Sequence, residues 1–114
     1  MEISVSETGD RNVPILAVSG EVDVYSAPAL KDKITELIES GQRTLIVDLS
    51  SVAFLDSTGL GALVEARAAT TEAGGAMPLV CGQERILKLF TITGLDGVFS
   101  IHPDVDDALA ELAG

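Results

Sequence analysis

The segment Asp56-Ser57-Thr58-Gly59-Leu60-Gly61 places a carboxylate and two hydroxyls beside two glycines, directly behind an apolar run. Ser57 fits a helix N-cap, with its Oγ near backbone N–H groups that a first turn leaves free. Glycine inside a helix costs about 1 kcal/mol relative to alanine. Gly59 and Gly61 therefore imply a need for bare backbone, either to pack against a neighbour or to admit another molecule. A capped helix with a close helix–strand contact would satisfy the same residues. Phosphate cradling is the weaker alternative. A Walker-type loop needs a lysine after its last glycine, and Ala62 stands there. The dinucleotide fingerprint needs a third glycine where this chain has Val64.

A second cluster, Gly20-Glu21-Val22-Asp23-Val24-Tyr25-Ser26, follows a strand and precedes a helix. If both strands lie in one sheet, this loop and the Asp56-Ser57 loop could share an edge. Asp23 and Asp56 would then flank a hydroxyl. The simpler reading makes Asp23 a turn former in a solvated loop. Ser57 with His102 would suggest a hydrolase only with a base in hydrogen-bond reach. The nucleophile-elbow pattern fails, because Leu55 stands two residues before Ser57. His102, before Pro103, reads as a loop residue, and Cys81 as a small core residue at a strand end. No catalytic set assembles, so no enzyme is expected.

These clusters need elements to position them. Glu2–Ser6 and Val13–Gly20 read as strands, with a hairpin-type turn at Thr8–Asn12 between them. Ser26 caps a helix that opens on Ala27-Pro28 and buries Ala27, Leu30, Ile34, Leu37 and Ile38 at helical spacing. Gly41 ends it. Thr44–Leu49 is a nearly continuous apolar run, expected for a central strand covered on both faces. Ser50–Asp56 reads as a loop into a second helix that buries Leu60, Leu63, Val64 and Ala68 and ends at Gly74-Gly75. Met77–Cys81 is the fourth strand. A helix from Glu84 to Phe90 with Ile86, Leu89 and Phe90 inward is closed by Gly94. Val98–Ile101 is a last strand, and Pro103-Asp104 opens a helix with Val105, Leu109 and Leu112 on one side. The order is β-β-α-β-α-β-α-β-α, an α/β domain with right-handed crossovers and parallel later strands.

Composition narrows the function. The chain has 114 residues, 46% apolar, with 7 basic and 18 acidic side chains and a net charge of −11. One domain over residues 1–114 is expected, able to bury roughly 65% of its unfolded surface. The charge disfavours nucleic acid and anionic membranes as direct partners. One cysteine and one histidine exclude a disulfide framework and make a metal centre improbable. No apolar run approaches a membrane span and the N-terminus has no signal-peptide pattern, so a cytoplasmic protein is expected. No cofactor is expected, and the absence of a strong exposed apolar repeat points to a monomer.

Taken together the motifs resemble a known family. Asp56-Ser57-Thr58-Gly59-Leu60-Gly61 behind Leu45–Leu49 is similar to the phosphorylation motif of bacterial anti-sigma factor antagonists, which are stand-alone STAS domains. Gly20-Glu21-Val22-Asp23 with Ala27-Pro28-Ala29-Leu30 resembles the family's earlier segment. Leu87-Lys88-Leu89-Phe90 through Gly94-Leu95-Asp96, then Phe99, Ile101 and Ala108-Leu109, resembles its C-terminal part. The resemblance implies a STAS-type fold: a four- or five-stranded mixed sheet with about four helices mainly on one side. It implies that the unphosphorylated protein binds an anti-sigma factor, an ATP-bound serine kinase, and so frees a sigma factor. It implies phosphorylation on Ser57 rather than Thr58, reversed by a metal-dependent, PP2C-type serine phosphatase. The partner surface it implies comprises Gly20, Glu21, Asp23, Asp56, Ser57, Thr58, Gly59 and Leu60. The alternative is a constitutive STAS subunit of a stress-signalling or transporter-associated complex. A small nucleotide-binding domain ranks last, for want of the P-loop lysine.

Overall fold

The computed structural model describes residues 1–7 and 13–113; the expected hairpin turn at Thr8–Asn12 lies outside them. Strands β1 (Glu2–Glu7), β2 (Pro14–Val22), β3 (Ile46–Leu55), β4 (Leu79–Val80) and β5 (Ile101–His102) form one sheet in the order β1-β2-β3-β4-β5. The β1–β2 pair is antiparallel and every later pair is parallel, so the sheet is mixed, as expected. The helices are α1 (Ala27–Glu39), α2 (Ser57–Glu72), α3 (Glu84–Ile92) and α4 (Val105–Ala113).

Strand alternation sorts the core onto two faces. Leu16, Val18, Val47 and Leu49 point to the side covered by α1, α2 and α3, where they meet Leu30, Ile34, Leu63, Ile86 and Phe90. Fully burying such a side chain stabilises the fold by about 1.5–3 kcal/mol. Ile46 and Val80 point to the other side, where Ala108, Val105, Leu109 and Leu112 of α4 cover them. Three helices on one face and one on the other is the expected arrangement.

Several expected boundaries move. β3 continues through Ser50–Leu55, which reads as loop in the sequence. Its pairing with β2 shifts register between Ala17 and Ser19 and again between Gly20 and Glu21. Its buried residues there, Val52 and Leu55, fall three apart, so a two-residue alternation cannot reveal them. β2 likewise runs on to Val22. The last strand is Ile101–His102, not Val98–Ile101, and a 3-10 turn at Leu95–Gly97 precedes it. Phe99 belongs instead to the core, edge-to-face with Phe90 at 5.6 Å. On α2, Leu60 and Leu63 are buried as expected, but Val64 and Ala68 are exposed. Ala62, Ala66 and Thr70 are buried in their place, because this helix packs on both the sheet and α1. Gly41 and Gly74 follow α1 and α2 with φ of +103° and +87°, ending both helices as expected.

Candidate functional site

The two loops singled out in the sequence meet at the C-terminal ends of parallel strands, the usual place for sites in such sheets. Val22 pairs with Leu55 at the end of β2 and β3. One residue on, the Asp56 N–H donates to the Val22 carbonyl at 3.2 Å. The shared edge expected from sequence is therefore present.

Asp56 opens α2. Its backbone is extended (φ −104°, ψ −176°) and its carboxylate accepts the Gly59 N–H at 2.9 Å. The cap is Asp56, not Ser57. An anionic acceptor at the positive end of a helix gains both a hydrogen bond and the dipole interaction. Ser57 is displaced into the first turn, where its side chain is exposed. No hydrogen bond from its hydroxyl is formed among the described residues. Thr58 is exposed beside it.

The glycines separate by role. A Cβ on Gly59 would lie 2.6 Å from Leu55 Cδ1, 2.9 Å from Val22 Cγ1 and 3.0 Å from the Val22 carbonyl. Packing of the α2 start against the ends of β2 and β3 thus requires that glycine. A Cβ on Gly61 would meet nothing within 4 Å. Leu60, expected among partner-contacting residues, is 5% exposed and sits in the core.

The earlier loop is closed by its own side chains. The Asp23 carboxylate accepts from the N–H groups of Tyr25 (3.0 Å) and Ser26 (3.1 Å) and from the Ser26 hydroxyl (3.2 Å). These bonds, led by the Ser26 N–H, hold the Asp23 pKa below its ordinary value. Ser26 stands at the N-cap position of α1, as expected, but its hydroxyl turns back to the Glu21 carbonyl at 3.0 Å instead of capping. Asp23 and Asp56 therefore do not flank one hydroxyl: Asp23 holds Ser26, and Asp56 holds Gly59. Gly20 permits the bend with φ +84°, and Glu21 beyond it is exposed. Val24 and Tyr25 at the loop tip are 55% and 91% exposed.

Residues that no sequence pattern singles out support this edge. The Gln83 side-chain amide donates to the carbonyls of Leu49 (2.8 Å), Ser50 (2.9 Å) and Val52 (2.9 Å). It satisfies the irregular stretch of β3 just ahead of the site. Arg85 adds a bond to the Ala53 carbonyl. Nothing in the local pattern marks a glutamine as reaching across more than thirty residues.

Between the starts of α1 and α2 runs a groove of about 470 Å³, with Ala27, Pro28, Thr58, Gly61 and Ala62 among its lining. Lys31 and Glu65 bridge it at 2.9 Å. His102 lies in β5 and bonds Glu111 of α4 at 2.8 Å, so it is a strand residue engaged away from Ser57. Cys81 is buried, and burial pushes its thiol pKa up. Among the described residues no group of three His, Cys, Asp or Glu could hold a metal, and no helix is long and apolar enough to cross a membrane.

Comparison with known proteins matches residues 4–108 to the STAS domain model. An anti-sigma-B factor antagonist from Bacillus subtilis (strain 168) is 39% identical over 101 residues, covering 89% of this chain and 92% of the relative. The crystal structure of an anti-sigma factor antagonist from Mycobacterium paratuberculosis superposes with a TM-score of 0.80 at 33% identity, covering 99% and 96% of the two chains. The phosphorylated form of the Bacillus cell fate determinant SpoIIAA shares the fold, with a TM-score of 0.72 at 20% identity over 97% of this chain and 99% of that one.

Proposed function

This chain belongs to the STAS domain family, and we propose that it is an anti-sigma factor antagonist switched at Ser57. Unphosphorylated, it binds an anti-sigma factor that is itself an ATP-bound serine kinase, and the sigma factor is freed. The carrying observation is that Asp56 caps α2, which leaves the Ser57 hydroxyl exposed and unengaged at the helix start. The identity to anti-sigma factor antagonists across nearly the whole chain supports the same reading.

In the switching step, Ser57 Oγ attacks the γ-phosphorus of ATP. The bond to the bridging oxygen breaks, ADP leaves, and the serine proton passes to a base on the kinase. The product carries about −1.5 to −2 added charges. At a helix N-terminus these are tolerated, with roughly 0.3–1 kcal/mol in their favour. The fold therefore persists while the partner surface, already negative with Glu21, Asp23 and Asp56, turns repulsive. A PP2C-type serine phosphatase reverses the step. Thr58 is also exposed, but the family motif favours the first hydroxyl.

The test is intact mass after incubation with Mg-ATP and the anti-sigma factor kinases of the same cell, followed by peptide mapping. One phosphate is expected on Ser57, absent in Ser57→Ala. The modified protein should keep its circular dichroism and lose kinase binding. No phosphate with any kinase, alongside stable association with another complex, would replace the switch by a constitutive subunit. Loss of the folded signal on phosphorylation would sink the local mechanism.

A further inference from the structure

We propose that the end of the molecule opposite Ser57 binds a small zwitterion, an α-amino acid with an apolar side chain, between Arg67 and Glu111. Ser57 follows the end of β3, whereas Pro78 and Ser100, just ahead of β4 and β5, line a cleft at the starts of these parallel strands. The cleft holds about 500 Å³, within the range of small-ligand sites. Met77, Val98 and Phe99 give it apolar walls, and Arg67 and Glu111 bring it opposite charges.

The two charges come from different sides of the sheet, Arg67 from α2 and Glu111 from α4. They do not pair with each other, which leaves room for a ligand between them. Arg67 is half-buried, and its guanidinium forms no ion pair or hydrogen bond among the described residues. Acidic side chains outnumber basic ones 18 to 7 in this chain, and Lys31 and Lys33 each hold a glutamate. A planar fork of donors with nothing to hold matches a carboxylate, which it grips through two parallel bonds. Met77, 4% exposed, adds a backbone N–H that has no hydrogen bond among the described residues and can serve the same carboxylate. Glu111 suits an ammonium. Its Oε1 takes the Ser100 hydroxyl and meets His102 Nε2 at 2.8 Å, which fixes the side chain and leaves Oε2 to a ligand. It also stands in the last turn of α4, where the helix dipole favours a cation. A phosphate or an acidic peptide would gain Arg67 and be repelled by Glu111; a metal ion or polyamine would meet the reverse. A molecule carrying both charges a few bonds apart gains both, and its apolar side chain covers Met77, Val98 and Phe99.

The experiment is an amide NMR titration of the isotope-labelled full chain with L-phenylalanine. Saturable shifts should appear at Met77, Phe99 and Ser100 and not at Ser57 or Thr58, with a Kd on the order of 1 mM or below. N-acetyl-L-phenylalanine and L-phenylalaninamide each lack one charge, and each should bind about tenfold or more weakly. Arg67→Met removes an unpaired head group, and Glu111→Gln keeps an acceptor for Ser100, so both should fold, as circular dichroism would verify. Each should also weaken L-phenylalanine about tenfold or more. No saturable shift at the cleft overturns the site. Either blocked analogue, or either variant, binding within twofold of the reference overturns the zwitterion reading, and shifts centred on Ser57 would place the ligand at the wrong end. None of these results depends on whether Ser57 takes phosphate.

Discussion

Asp56 accepts the Gly59 N–H at 2.9 Å, while Ser57 forms no side-chain bond among the described residues. Adjacent polar residues at one helix start should therefore respond differently to alanine. Asp56→Ala should lower unfolding free energy by about 1 kcal/mol, the usual loss for an N-cap. Ser57→Ala should stay within about 0.5 kcal/mol, as for an exposed site. Urea denaturation of the two variants decides it; equal losses would mean that Ser57 shares the cap. The sequence placed the helix start correctly and assigned its cap to the wrong neighbour. Aspartate and serine are both good caps, and only the backbone conformation of Asp56 chooses between them. Gly59 was legible as a demand for bare backbone. Whether a neighbour or a ligand made that demand required Leu55 and Val22 to be placed.

The strand that delivers Ser57 depends on α3. Gln83 satisfies three β3 carbonyls, so Gln83→Ala should cost roughly 1–3 kcal/mol by leaving polar groups without partners. The loss should be local. Amide exchange should rise across residues 50–55 more than in α4, and uniform exchange would show that the clamp only adds global stability. α4 is held separately, on the opposite sheet face. The Ser100 hydroxyl first, and His102 next, hold the Glu111 pKa below its ordinary value of 4.5. A carboxylate lowered in the folded state stabilises the protein above its unfolded pKa and loses that contribution as pH falls through the folded one. Wild type should thus lose stability below about pH 4.5 more steeply than Glu111→Gln, measured as Tm against pH; superimposable curves would discard the tether. α1, α3 and α4 were readable because each buries one helical face. The far half of β3 was not, because its register shifts hide the alternation and its support comes from a distant glutamine. The buried face of α2 was misread at Val64 and Ala68, because small residues packed on two sides leave no single apolar stripe.

At the scale of the whole molecule, the net charge of −11 acts on encounter more than on fold. The composition made an acidic domain legible, but the folded chain decides which acids lie at the Ser57 end. The Debye length is about 8 Å at physiological ionic strength, shorter than any principal extent of a molecule 33 × 25 × 24 Å across. A partner that docks at Ser57 therefore feels chiefly the charges on the end it approaches. Glu21 lies on that end, exposed near the close of β2 beside Val22, whose carbonyl accepts the Asp56 N–H. Asp106 is exposed on α4, across the sheet. Each neutralisation, Glu21→Gln or Asp106→Asn, changes net charge by the same single unit. Glu21→Gln should slow association with the kinase several-fold at low salt and converge with wild type at about 1 M salt, where screening acts within about 3 Å. Asp106→Asn should track wild type throughout. Stopped-flow association rates across a salt series separate the cases. Equal slowing by both variants would make net charge the steering quantity, and rates independent of salt would remove electrostatic steering altogether.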